Sequence, residues 1–348
     1  MFTPKYVITH ALLENVKRIY ALTQTLNQRS FSQTVLAELQ RDAEAVSAFA
    51  STSIEGNPLP LTDVKRIIKN KPQNIRDSER EVLNYNEVLK EVNRSLAKSA
   101  LPITLPLILQ IHKKITHKLL PASQSGKLRV DPVFVNDPRV GETVYLPPDA
   151  KDVPRLVKEL IQFTQINKNK IDPLILAGIF HKQFVVIHPF MDGNGRTARL
   201  LTKILLAEMG LNTFNLFSFE NYYNQNVTRY FEMVGSRGNY YEIANALDFS
   251  EWLEYFTGGM IDELLRVEKI LPPTANSPKD KLQPYHLQIM DFIRQKGFIA
   301  DKDYAGLVNR AKPTRRLDFN KLIELGLIQR EGKGKNTYYV LKQKDRRA

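Results

Sequence analysis

The chain is 348 residues long, 43% hydrophobic and 25% charged, which is enough to bury cores in more than one domain. It has no cysteine, which excludes disulfides, thiolate zinc sites and cysteine nucleophiles, and its six histidines show no HExxH spacing that would point to zinc. The formal net charge is +13, no apolar run reaches membrane-spanning length, and the first 22 residues lack a signal-peptide core, so a cytoplasmic protein is expected.

Residues 35–54, VLAELQRDAEAVSAFASTSI, fit a helix with Val35, Leu39, Ala43, Val46, Phe49 and Ile54 inward. Glu55-Gly56-Asn57-Pro58 supplies its stop, because glycine takes left-handed angles after a helix and proline cannot continue one. Taken alone, Glu55 reads as an ordinary exposed glutamate. Residues 126–149, GKLRVDPVFVNDPRVGETVYLPPD, hold two β-prone runs, Val133–Val135 and Thr143–Leu146, around the turn-rich Asn136–Gly141, and a hairpin is predicted.

Residues 174–187, LILAGIFHKQFVVI, are apolar and long enough for a buried helix. Residues 196–209, RTARLLTKILLAEM, predict a second, with Leu200, Leu201, Ile204 and Leu205 inward and Gly210 placed to end it. The loop between them points into the start of the second helix, where unpaired N–H groups and the helix dipole attract phosphate. Gly193 and Gly195 can expose successive N–H groups as an anion nest. Arg196 and Arg199 share one helix face and can grip neighbouring phosphates. Asp192 is a hard oxygen ligand suited to Mg2+, and His188 can take a proton near neutral pH.

Residues 214–256 are rich in aromatics, including Phe217, Tyr222, Tyr223, Tyr230, Phe231, Trp252 and Phe256, which are expected to pack between helices. Leu271–Pro278 has the Pro/Ser character of a linker. Beyond it, from Lys279 to Ala348, about 17 Lys/Arg stand against about 8 Asp/Glu. Three helices are predicted there: residues 284–296 with Leu287, Ile289, Met290 and Ile293 as the apolar set, then Asp301–Val308, then Lys312–Glu324. The strand-like runs Leu327–Arg330 and Thr337–Leu341 follow. Lys312, Arg315 and Arg316 are candidates for a DNA groove, and Lys333 and Lys335 for backbone phosphates. A docking or dimerisation module is the other reading of the same pattern.

The run His188-Pro-Phe-Met-Asp-Gly-Asn-Gly-Arg-Thr-Ala-Arg199 resembles the signature H-x-F-x-[D/E]-G-N-G-R-x-x-R of the Fic family at every defined position. Ser51-Thr-Ser-Ile-Glu55-Gly56 resembles that family's inhibitory pattern [S/T]-x-x-x-E-[G/N] in its N-terminal placement. The resemblance implies a mainly α fold, a Fic-type helical core with a β-hairpin flap; the three helices and basic hairpin past the linker separately resemble a winged helix-turn-helix domain. It implies transfer of AMP from ATP to a Ser, Thr or Tyr hydroxyl of a target protein or of the chain itself. His188 would be the base, Asp192 the Mg2+ ligand, and Asn194 with the Gly193 and Gly195 backbone the cradle for the inner phosphates. Arg196 and Arg199 would clamp the outer ones, and Phe190 would anchor the loop in the core. Glu55, with Ser51, would occupy Arg199 and block the γ phosphate. Val144 and Tyr145 would lie in the flap, and Tyr230 and Phe231 near the adenine.

The expected organisation is an N-terminal helical region over residues 1–110, a catalytic core over 111–260, a helix end and linker over 261–279, and a winged helix-turn-helix over 280–348. DNA contact through residues 312–335 and a homodimer are compatible with it. Two other functions remain open: removal of AMP by the same site, and a DNA-binding regulator whose core senses nucleotide.

Overall fold

The computed structural model describes residues 2–29, 33–137, 142–208, 210–271, 282–332 and 334–342. The chain divides into two compact units, residues 1–27 with 40–270, and residues 28–39 with 271–348. Residues 40–110 and the stretch expected as the catalytic core therefore fall in one unit, and both contribute side chains to one hydrophobic core.

The N-terminal helices are α1 (His10–Asn27), α2 (Gln33–Ser53), α3 (Leu61–Asn70), α4 (Asp77–Leu96) and α5 (Leu105–Ile115). A hairpin of β1 (Val135–Asp137) and β2 (Glu142–Leu146) follows, then α6 (Val153–Asn167), α7 (Pro173–Ile187) and α8 (Asn194–Ala207). Next come α9 (Glu220–Gln225), α10 (Val227–Val234), β3 (Gly238–Asn239), α11 (Tyr240–Ile243) and α12 (Ser250–Ile270).

The α7 helix is the axis of the first unit. Pro173 opens it, the Asp172 carboxylate caps it by accepting from the Leu174 N–H at 2.9 Å, and its side chains, mostly apolar, are buried on every face. A helix of that kind needs neighbours all round. It packs against α6, α8 and α12, and the absence of a Cβ at Gly178 lets α12 close in, with the Trp252 indole donating to the Gly178 carbonyl at 2.8 Å. Against its other side, α8 buries Leu200, Leu201 and Ile204 as predicted, while Leu205 is only half-buried. The α8 helix starts two residues earlier than the apolar pattern suggests, at Asn194, because the Gly-Asn-Gly turn winds directly into it.

The inward face of α2 differs from the predicted large apolar stripe. Ala43, Ala45, Ser47, Ala48, Ala50 and Ser51 are buried, whereas Val46 and Phe49 are half-buried; the Val35 side chain lies outside the described residues. Small residues let this helix approach the core closely, and its buried hydroxyls then need polar partners there.

The hairpin forms, with its first strand starting at Val135 and not Val133, and a bulge between Val135 and Asn136. A short parallel pairing of Tyr145 and Leu146 with Gly238 and Asn239 places β2 between β1 and β3. The predicted turn falls partly outside the described residues, at 138–141.

The second unit contains α13 (Pro284–Lys296), α14 (Asp301–Leu307), α15 (Lys312–Glu324), β4 (Ile328–Glu331) and β5 (Tyr338–Leu341). The two strands pair antiparallel, and Ile299, between the first two helices, bridges to Tyr339 on β5. Its core is Ile289, Met290, Ile293, Ile299, Tyr304, Phe319, Leu322 and Ile328. Leu287, expected inside, is exposed, and His286 takes the inward position one residue earlier. The expected linker beyond Leu271 lies outside the described residues.

Candidate active site

The α7 helix ends at His188, which takes left-handed angles (φ 51°, ψ 61°). Such a conformation costs a side-chain-bearing residue about 1 kcal/mol and turns the imidazole out of the helix direction. Its Nδ1 lies 3.2 Å from the Val185 carbonyl. A carbonyl only accepts, so in the neutral ring Nδ1 carries the hydrogen and Nε2 keeps its lone pair. Burial lowers the His188 pKa from the usual imidazole value, against the opposing pull of that hydrogen bond, which keeps the ring neutral and ready to accept a proton.

The loop after His188 is held from within. Phe190 is fully buried and stacks on His112, with ring centroids 3.7 Å apart. His112 Nδ1 accepts the Gly126 N–H at 2.9 Å, so the hydrogen is on Nε2, which donates to the Asp192 carbonyl at 2.9 Å. Asn194, assigned to the phosphate cradle by resemblance, makes two bonds inside the loop: its Oδ1 accepts from the Phe190 N–H and its Nδ2 donates to the Phe190 carbonyl, both at 2.9 Å. These two bonds close the loop just before α8 begins. Gly193 is left-handed (φ 78°), as a nest requires. Gly195 is there for room: a Cβ on it would stand 2.1 Å from the Glu55 carboxylate.

The two arginines share a helix but not a task. Arg196 is enclosed by Asp192 at 2.7 Å and Glu81 at 2.6 Å, so it braces the loop and is not a free clamp. Arg199 is fully buried and donates to the Ser51 hydroxyl at 2.8 Å, the Ser51 carbonyl at 2.7 Å and the Glu55 carboxylate at 2.6 Å. Glu55 thus lies at the N-terminus of α8 and on Arg199 together, where an anion is most stabilised. The turn carrying it is secured: Asn57 donates to Glu81 at 2.6 Å and to the Ser78 carbonyl at 2.9 Å.

Behind Arg199 runs a directional chain. The Thr202 hydroxyl donates to the Ala198 carbonyl and accepts from His181 Nδ1; His181 Nε2 accepts from the Tyr230 hydroxyl at 2.9 Å; and the Tyr230 oxygen faces Arg199 at 3.5 Å. Tyr230 is therefore not an open platform for a base. It is 1% exposed and packed among Tyr223 and Trp252, while its neighbour Phe231 is 41% exposed. Deeper still, the buried Glu220 carboxylate accepts from Tyr85 at 3.2 Å, Lys203 at 3.3 Å and the Ser47 hydroxyl, which ties α2 to α8 a second time.

Tyr145, expected in the flap, lies in β2; it is 3% exposed and donates to the Val186 carbonyl at 2.9 Å, anchoring the hairpin to the end of α7. Val144 beside it is half-buried. Glu81, His112, Arg129 and Tyr85 have roles that no local pattern signals, since their partners lie far away in sequence.

Burial holds His112 down at a pKa of about 4 and His181 at about 3. Both values are below the unfolded imidazole value of about 6.5, so the stability they confer is full above that pH and is lost as pH falls toward the folded values. Each neutral imidazole contributes a slope of about 1.4 kcal/mol per pH unit, roughly 2.7 together, below pH 6.5. Urea unfolding at pH 7, 6 and 5 is expected to show this slope, reduced by about half in His112→Gln. A flat profile between pH 6.5 and 5 would contradict the buried neutral assignment.

Residues 102–206 match the Fic/DOC family. The chain is 34% identical over 169 residues to the protein adenylyltransferase Fic of Nematostella vectensis, covering 47% of this chain and 37% of that one. It is 27% identical over 217 residues to the same-named protein of Drosophila persimilis, covering 57% and 41%. The chain thus spans about two-fifths of the length of these curated relatives. A Fic family protein from Desulfovibrio desulfuricans G20 superposes with a TM-score of 0.65 at 22% identity, over 99% of this chain and 100% of that one. Fic-1 from C. elegans superposes with a TM-score of 0.56 at 22% identity, over 74% and 72%.

Proposed function

We propose, from the match of residues 102–206 to the Fic/DOC family, that the chain transfers AMP from ATP to a hydroxyl of a target protein, restrained by its own Glu55. The observation that carries this reading is Arg199: a fully buried guanidinium beside the N-terminus of α8, engaged by a carboxylate of the chain itself. That position suits the outer phosphates of a triphosphate, and Glu55 stands where they would bind.

In the proposed reaction the target hydroxyl attacks the α phosphorus. A bond forms from that oxygen to phosphorus, the bond to the bridging oxygen breaks, and pyrophosphate leaves. His188 Nε2 receives the hydroxyl proton. The Asp192 side chain is 55% exposed and uses Oδ2 for Arg196, so it suits a hard cation at the mouth of the site. No cluster of three or more His, Asp or Glu that could hold a metal exists among the described residues. Mg2+ would therefore take its other ligands from phosphate and water, and would supply charge neutralisation there. Phe231 is the ring of its pair with a face to offer the adenine. Intact-mass measurement after incubation with ATP and Mg2+, on the wild type and on Glu55→Gly, tests the reading: added AMP in the variant supports it, and no addition to itself or to any protein of a lysate rejects it.

A second reading rests on the second unit. Arg315 is committed to Asp301 at 2.8 Å and to the Arg310 carbonyl at 2.7 Å, so it is not the groove reader expected. Lys312 and Arg316, one turn apart on α15, are exposed and suit the phosphates of DNA. The Lys333 and Lys335 side chains lie outside the described residues. In a mobility-shift titration, Lys312→Glu with Arg316→Glu is expected to weaken DNA binding at least tenfold and lower its salt slope by about 2. Wild-type protein that leaves duplex DNA unshifted at low salt would remove this reading.

A further inference from the structure

We propose that Arg129 is a positioning residue that sets the base and the flap in register, through hydrogen bonds to main-chain carbonyls on both sides of the site. This rests on the adenylyl-transfer reading and deepens it. Arg129 is 4% exposed, in the loop between α5 and β1. Its Nε donates to the His188 carbonyl at 2.8 Å, and its own N–H donates to the Pro189 carbonyl at 3.0 Å. Two successive carbonyls of the left-handed corner are thus fixed from one residue. Its Nη1 reaches the Asp131 carbonyl at 3.2 Å, just before the first strand of the flap, and its Nη2 reaches the Pro148 carbonyl, just after the second.

Every hydrogen-bond acceptor it meets among the described residues is a main-chain carbonyl. A buried guanidinium placed in this way desolvates a full charge without forming a carboxylate pair. What it does in return is geometric: three of the five donors on one rigid plane each hold a carbonyl, at His188, Asp131 and Pro148. His188 has two further restraints, the Val185 carbonyl on Nδ1 and the helix bond from its N–H to the Phe184 carbonyl at 3.1 Å. Neither reaches the flap. Arg129 alone among these links the base to the hairpin that would hold the target hydroxyl.

A target segment seated on the flap would therefore meet His188 at a set distance. Shifting a reacting group by about 1 Å can lower a rate about a hundredfold. Arg129 contacts neither Arg199 nor the start of α8, so nucleotide binding should not depend on it.

The test uses the full chain with Glu55→Gly as parent. Arg129→Met is expected to lower kcat for AMP transfer by about a hundredfold while the ATP dissociation constant stays within twofold, with Arg129→Lys recovering part of kcat. The imidazole 15N shifts of His188, identified by their loss in His188→Ala, should move in Arg129→Lys from a single Nδ1–H tautomer toward averaged values. A kcat within threefold of the parent, or a fall in kcat matched by an equal loss of ATP affinity, would overturn the proposal. A parent that transfers no AMP would instead remove the functional reading, and the His188 shifts in the Lys variant would then decide the role of Arg129 by themselves.

Discussion

Replacing His188 with alanine is expected to lower AMP transfer by about 100- to 10,000-fold with ATP affinity nearly unchanged. The separation follows from where the groups stand. The elements proposed to hold phosphate are the N-terminus of α8 and Arg199, and the bonds of Arg199 and of the imidazole go to other partners. Nε2, left unprotonated by the Nδ1–Val185 bond, is the only part of the ring available to a substrate. Because residue 188 is left-handed, His188→Asn is the better tolerated partner variant: asparagine adopts that region more readily than most residues. Both variants should lose transfer alike. Single-turnover mass measurements with calorimetric ATP binding check this, and near-parent transfer by either variant removes His188 as the base.

Glu55→Gly should raise AMP transfer by roughly 10- to 100-fold, the factor that corresponds to a charge-assisted hydrogen bond of about 1.5–3 kcal/mol. Glu55 holds Arg199 at 2.6 Å and rests against Gly195, so removing it frees both the guanidinium and the space over the α8 N-terminus. Arg199 keeps its Ser51 and Tyr230 contacts, so it should stay in place without its carboxylate. The exchange has a stability signature. The variant loses the counter-charge of a buried cation and should melt lower than wild type, and ATP should raise its melting temperature more than it raises that of wild type. If transfer does not rise while release of AMP from a modified protein is lost, Glu55 serves the reverse reaction and the restraint assigned to it is wrong.

Elements with a strong local pattern were legible in the sequence. The α7 helix is apolar apart from His181, Lys182 and Gln183, and α8 repeats its apolar residues at helical spacing, so tertiary contacts had only to confirm them. The hairpin showed itself by β-prone runs around a turn, and the second unit by its order of helices and strands. The loop from His188 to Arg199 was legible because its chemistry is concentrated in twelve neighbouring residues.

The division of labour within that loop was decided only by the tertiary structure. Spacing placed Arg196 and Arg199 on one helix face. Their different partners come from packing: Glu81 and Asp192 enclose the first, and Ser51 and Glu55 reach the second from 148 and 144 residues away. That Asn194 also closes the loop, through two bonds to Phe190, is visible only in the folded chain. Tyr230 reads as one aromatic among many, and its place behind Arg199 depends on His181. Sequence records periodicity and local chemistry, because those act between neighbours along the chain. A side chain's hydrogen-bond partners are set by what the core brings within 3 Å, and Glu81, His112 and Arg129 acquire their roles only when helices distant in sequence pack together.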